Sequence, residues 1–344
     1  MLAITVPVSV WIRGVSAVKR RTWAAWSAAI LGLGLLAGCA SGGGGTQAAG
    51  GDGKLTIGFS QVGAESGWRT ANTQSIQEAA AAAGVDLKFS DAQQKQENQI
   101  KAIRSFIQQR VDVIAFSPVV ESGWDTVLKE AKTANIPVIL TDRAVDSPDT
   151  TLYKTFLGSD FVAEGRKSGE WLAKEFAAAT EPVRIVELQG TTGSAPANDR
   201  KAGFAEVIGK DPKFQVVASQ TGEFTRSKGK EVMEAFLKSQ GKIDVLYAHN
   251  DDMALGAIEA IEGAGLKPGT DIKIVSVDGV RDALQALADG KINFVVECNP
   301  LLGTQLMDLA KKVAAGEAVP PRVETEETVF DQQAAKAALP QRKY

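Results

Sequence analysis

The chain has 344 residues, 44% hydrophobic and 23% charged. This is an ordinary globular balance that sets aside disordered and collagen-like classes and leaves room for two domains. The first 39 residues hold four basic and no acidic side chains, so the remainder carries 34 Lys and Arg against 41 Asp and Glu, a balance of −7 with no basic stripe, which argues against nucleic acid as a partner.

Arg13, Lys19, Arg20 and Arg21 precede an apolar run from Trp23 to Gly38. The uninterrupted apolar core is shorter than the roughly 20 residues of a membrane span. A basic start before a short apolar stretch predicts an export signal over 1–39 rather than a transmembrane anchor. The run ends in Leu36-Ala37-Gly38-Cys39, which resembles the lipobox of bacterial lipoproteins. The resemblance implies lipidation at Cys39 and a membrane-anchored protein facing the periplasm or the cell exterior. Residues 40–53 are Gly-rich and lack large apolar side chains. They are expected to be a flexible tether, whose last thirteen residues reach roughly 20 Å. Cys298 is the only other cysteine, so no intramolecular disulfide is expected once Cys39 is lipidated, and stability must come from the core.

From Lys54 onward short β-rich runs alternate with helical patterns. Strands are expected at 55–60, 87–90, 111–116 and 138–141, with helices at 69–83, 96–110 and 124–134. The first helix ends at the capping Gly84, and Ile100, Ile103, Phe106 and Ile107 form one face of the second. The pattern then restarts. Strands at 183–188, 214–219, 245–248, 272–277 and 293–297 alternate with helices at 199–209, 225–240, 251–263 and 280–289, before a last helix at 301–316. Such alternation implies parallel sheets covered on both faces, and two series imply an α/β fold of two doubly wound lobes.

In open α/β sheets ligands bind beyond the carboxyl ends of the strands. There the sequence places Glu65, Trp68 and Arg69 after the first strand and Asp142-Arg143 after the fourth. In the second series it places Arg200, His249-Asn250-Asp251-Asp252, Asp278-Gly279 and Cys298-Asn299. Carboxylates, amides and guanidinium groups suit vicinal hydroxyls, which both donate and accept. Trp68 and Phe224 suit the apolar faces of a sugar ring. A phosphate would call for fewer carboxylates.

These segments resemble the type I periplasmic sugar-binding proteins of ribose-binding type. The resemblance is carried by IGFSQVGAESGWR (57–69), DAQQKQENQIKAI (91–103), IPVILTDR (136–143), ELQGTTGSAPANDRKAGF (187–204), GEFTRSKGKEVME (222–234), YAHNDDMALGAI (247–258) and VSVDG (275–279). Within the family the galactofuranose-binding type is nearest, through GFSQVG-ESGWR and QQKQENQIKA. The resemblance implies two lobes joined by a three-segment hinge, 54–159 with 299–325 and 160–298 with 326–344. It implies a monosaccharide partner, of galactose type and plausibly a furanose, and delivery to the permease of an ABC transporter by a monomer. It implies sugar contacts by Asp142, Arg143, Arg200, Phe224, Asn250 and Asp278, joined by Glu65, Trp68 and Arg69 of the galactofuranose-type loop. Cys298 stands where ribose binders place a glutamine, so no polar contact is carried onto it and ribose specificity is not implied.

Structural roles compete at several positions. Asp199 and Asp251 suit helix N-caps, Trp124 and Trp171 suit packing, Gly158-Ser159 suits a crossing between lobes, and Cys298 a small buried apolar role. His249 with Asp251 and Asp252 lacks metal-ligand spacing, and neither a phosphate loop nor a nucleophile elbow is present. No metal, cofactor or enzymatic activity is expected; Glu65 and Asp142 as a hydrolytic carboxylate pair have no spacing to support them. The alternatives are a chemotaxis or signalling receptor of the same fold and a binder of another pentose or hexose such as ribose. A sugar-sensing repressor of this fold would carry a helix-turn-helix where this chain carries its export signal.

Overall fold

The computed structural model describes residues 53–344. The expected export signal, Cys39 and all but the last residue of the tether lie outside them. Twelve strands and ten helices follow in chain order. They are β1 (Thr56–Gln61), α1 (Gly67–Ala82), β2 (Asp86–Asp91), α2 (Gln96–Gln109), β3 (Val113–Phe116), α3 (Asp125–Thr133), β4 (Val138–Thr141), β5 (Thr155–Gly158), α4 (Phe161–Glu175), β6 (Val183–Gln189), α5 (Ala195–Ile208) and β7 (Phe214–Thr221). Then come α6 (Arg226–Ser239), β8 (Val245–Ala248), α7 (Asp251–Gly263), β9 (Lys273–Asp278), α8 (Arg281–Ala288), β10 (Phe294–Glu297), α9 (Gly303–Ala314), β11 (Arg322–Glu324), β12 (Val329–Phe330) and α10 (Gln332–Ala338).

The strands form two six-stranded sheets, ordered β11-β5-β4-β3-β1-β2 and β12-β10-β9-β8-β6-β7. Every pairing is parallel except β10 with β12. The two orders are the same, and both place a topological switch point beside their first strand, at β1 and at β6. Each sheet is sandwiched by helices, as the run of fully buried residues in β3, β4 and β8 requires. The expected α/β fold of two doubly wound lobes is therefore present. The chain passes between sheets three times, after β5, after β10 and between β11 and β12.

Four elements were not expected, β5, β11, β12 and α10, and α4 had no expected bounds. Two capping roles also differ. The helix carrying Asp199 begins four residues earlier, at Ala195 after Ser194, with Pro196 in its first turn, where a missing N–H costs nothing. Asp251 opens α7, but the cap is Asn250, whose side chain accepts from the Met253 N–H at 3.0 Å. Trp124 and Trp171 do pack: the first lies 4.9 Å from Phe116, the second stacks at 5.4 Å on Phe294. Among the described residues no helix is long and apolar enough to cross a membrane.

Candidate functional site

The carboxyl ends of the two sheets face each other across a closed cleft. Ser66 caps α1, its hydroxyl accepting from the Arg69 N–H at 3.1 Å. This fixes Trp68 and Arg69 in the first turn with their side chains buried. Asp142 follows β4 in a left-handed conformation, φ 59°, pinned by donation of its N–H to the Leu157 carbonyl at 2.7 Å. Phe224, in the loop after β7, has φ 60°, and Asp278, at the end of β9, has φ 127°. Non-glycine residues adopt such angles where the surroundings impose them, often at functional sites. The Phe224 ring lies over Gly190, where a Cβ would stand 1.9 Å from the ring; only glycine leaves room for it.

Three guanidinium groups dominate the electrostatics. Arg69 donates to Asp142 Oδ2 at 2.6 Å, which also accepts from the Ser117 hydroxyl at 3.0 Å. Arg143 donates through Nη2 to Glu65 Oε1 at 2.5 Å and through Nη1 to the Val119 carbonyl at 3.2 Å. Arg200 donates to Glu164 Oε2 and to the His249 carbonyl, each at 2.6 Å, and its Nη2 lies 3.7 Å from Asp278 Oδ1. Phe224 stands between two of them, 5.2 Å from the Arg143 guanidinium carbon and 6.0 Å from that of Arg200. On the opposite wall Trp68 carries the Arg69 guanidinium at 4.6 Å and donates through Nε1 to the Cys298 carbonyl at 2.7 Å.

Burial shifts the charges. It lowers the Arg143 guanidinium, with Arg69 and Arg200 acting in the same direction against Glu65 and Asp142. Burial would also lower Arg69 and Arg200, but Asp142 and Glu65 around the first, and Glu164 foremost around the second, outweigh it. Burial moves the Asp278 carboxyl well above its usual range against the opposing pull of Arg200, and pushes neighbouring Asp251 up to about 7. Asp251 holds the turn that presents Asp278, accepting from the Ser276 hydroxyl and from the N–H groups of Gly279 and Val280.

All nine candidate residues, Glu65, Trp68, Arg69, Asp142, Arg143, Arg200, Phe224, Asn250 and Asp278, line one cavity, together with Ser66, Pro196 and Cys298. Charged and polar side chains dominate its lining, which suits one small polar molecule. Three polar atoms of lining residues, Glu65 Oε2, Arg69 Nε and Arg143 Nε, are buried without a hydrogen-bond partner among the described residues. Asp142 is matched to Arg69, 2.6 Å away, while its chain neighbour Arg143 is 3.8 Å off and serves Glu65. Glu164 and Ser117 escaped the sequence reading. Neither lies in a recognised loop, and their partners are 36 and 25 residues away.

A family model described as a periplasmic binding protein domain matches residues 57–318. The chain belongs to the periplasmic binding protein family. Among characterised relatives of this binding protein, the galactofuranose-binding protein YtfQ of Escherichia coli strain K12 is 50% identical over 293 residues, 84% of this chain and 92% of that one. A Mycobacterium smegmatis protein solved in complex with β-D-fucofuranose is 70% identical, with a TM-score of 0.83 over 84% of this chain and 95% of that one. The binding component of an arabinose ABC transporter from Shewanella sp. ANA-3, solved with α- and β-L-arabinofuranose, is 52% identical, with a TM-score of 0.81 over 84% and 96% of the two chains.

Proposed function

We propose that this chain is an exported solute-binding lipoprotein. It binds one monosaccharide of galactose type, in furanose form, between its lobes and delivers it to the permease of an ABC importer. The observation that carries the binding is the set of unmatched polar atoms in the wall, Glu65 Oε2, Arg69 Nε and Arg143 Nε. A buried polar group without a partner costs about 1–3 kcal/mol, and a sugar, whose hydroxyls both donate and accept, matches the acceptor and both donors at once. Trp68 and Phe224 supply flat apolar walls for the ring's C–H faces. Three relatives whose names carry galactofuranose, fucofuranose and arabinofuranose support the furanose form. Glu65 and Arg143, already paired, are placed to grip the exocyclic arm that separates a hexofuranose from a ribose ring.

The nine lining residues are the proposed sugar contacts, and catalysis is not part of the role. The proposed lobes are 54–159 with 299–325 and 160–298 with 326–344, a division supported by the membership of β5 and β11 in one sheet and β10 and β12 in the other. The protein is proposed to act as a monomer held at the membrane by lipid on Cys39. Uptake of labelled D-galactose by cells lacking the gene tests delivery. Uptake that falls and returns with the gene supports it, and undiminished uptake overturns it.

A further inference from the structure

Glu164 is fully buried and holds Arg200 from behind the cavity wall. The contact is set by backbone. Helices α4 and α5 approach so closely that a Cβ on Gly165 would stand 2.2 Å from the Arg200 carbonyl oxygen, and one on Gly203 would stand 2.1 Å from that of Val162. This presses Glu164 onto the Arg200 guanidinium, which donates through Nε to Oε2 at 2.6 Å.

The other oxygen, Glu164 Oε1, has no hydrogen-bond partner among the described residues. Ligating atoms of Glu164, Cys298 and Glu327 lie within 4.8 Å of one another. Glu327 in turn gathers all three passages between the sheets. It accepts from the Ser159 hydroxyl after β5, from the Asn299 N–H after β10 at 3.2 Å, and from the Thr325 hydroxyl after β11 at 2.8 Å. One buried carboxylate thus stands between an arginine of the cavity and the junction of the crossing segments. A metal cation suits the cluster poorly, because burial keeps the Cys298 thiol protonated and Arg200 already occupies one Glu164 oxygen. A proton suits it well, since it neutralises one of two facing carboxylates.

We propose that Glu164 is a positioning residue that ties Arg200 to the crossing segments, and that closing the lobes over the sugar loads Glu164 with a proton. This rests on Arg200 touching the sugar. Burial, the largest influence, and facing Glu327 push the Glu164 carboxyl up to about 8 against the pull of Arg200. The other groups facing it are Tyr247 on β8 and Asp278 on β9, both raised chiefly by burial. In the closed form the crossing segments hold Glu327 against the Glu164 carboxyl and raise it, so closure takes up a proton. Affinity is then full at low pH and falls as pH rises through about 8. One proton gives a loss of about tenfold between pH 7 and pH 9.

The test is calorimetric titration of D-galactose and L-arabinose from pH 6 to pH 9 into wild type, Glu164→Gln, Glu164→Ala and Arg200→Ala, each shown folded by circular dichroism. Wild type should weaken by about tenfold from pH 7 to pH 9. Glu164→Gln keeps an acceptor for Arg200 but cannot titrate, so it should lose that part of the slope, leaving only what Asp251 and Asp278 contribute. Glu164→Ala should bind at least tenfold more weakly throughout; if it does not fold, Glu164→Gln carries the test. A Glu164→Gln profile that follows wild type, or a flat wild-type profile, overturns the proposal. Arg200→Ala binding like wild type overturns instead the placement of Arg200 on the sugar, and wild type that binds neither sugar overturns both.

Discussion

Asp252, at the start of α7 on one lobe, accepts a hydrogen bond from the backbone N–H of Gly67, at the start of α1 on the other, at 2.8 Å. A second bridge joins the lobes elsewhere, where the Glu121 N–H donates to the Gly193 carbonyl at 2.9 Å and Asn198 donates to the Glu121 carboxylate at 2.5 Å. Both bridges span the cleft and would have to break for it to open. A hydrogen bond to a charged group contributes roughly 1.5–3 kcal/mol when shielded. Because Asp252 keeps some solvent contact, its removal should shift closure by no more than about tenfold. Asp252→Ala is expected to bind sugar three- to tenfold more weakly, mainly through faster release. In solution scattering the wild-type radius of gyration should fall on adding saturating sugar. An unchanged curve at confirmed saturation would remove the closure mechanism.

Arg143 is expected to dominate affinity. Its guanidinium is anchored by Glu65 and the Val119 carbonyl, with Nε left without a hydrogen-bond partner among the described residues. Truncation removes its proposed bonds to the sugar and leaves the Glu65 carboxylate with only Arg69, 3.5 Å away. At roughly 1.5–3 kcal/mol for each charged hydrogen bond, Arg143→Ala should lose two to four powers of ten. Arg143→Lys should recover part of this, since an ammonium cannot reproduce the planar fork. Arg166 pairs with Glu206 on the surface, so Arg166→Ala should bind normally. A folded Arg143→Ala that binds within about threefold of wild type would displace the pocket.

Gly190→Ala should damage binding without touching a sugar. Its new methyl group would meet the Phe224 ring at 1.9 Å, forcing the ring out of its place between Arg143 and Arg200. Overpacking of this kind costs about 1–3 kcal/mol. Thermal unfolding should show a modest loss of stability, and titration a loss of affinity of at least tenfold. Full affinity in the folded variant would mean that Phe224 is no part of the site.

Lipid anchoring at Cys39 predicts that Cys39→Ser, expressed in the native host, accumulates as unprocessed precursor or is shed. Maturation and fractionation identical to wild type would remove the anchor.

The strand and helix series was legible because its cues are local, periodicity and caps. Helix α4 was not. Gly165 and Gly169 dilute its helical signal, yet Gly165 is what lets it lie against α5. The start of α5 was signalled by Pro196 and passed over in favour of Asp199. Strands β11 and β12 have three and two residues, too few to show a period. Eight of the nine cavity residues could be placed because each follows a strand end or sits in a recognised loop, while Arg200, inside α5, was reached through its family segment. Their pairing could not, since Arg69 meets Asp142 across 73 residues of chain. Glu164 was hidden because an acidic residue within a helix looks like any solvated one until a neighbouring helix covers it.

The central claim is that the cleft holds a galactose-type furanose through these residues. Calorimetric titration of the chain from residue 53 onward, against D-galactose, D-fucose, L-arabinose and D-ribose, tests it most directly. One-to-one binding is expected for D-galactose and D-fucose, at least tenfold tighter than for D-ribose. No heat from D-galactose or D-fucose, with D-ribose bound tightly, would contradict it.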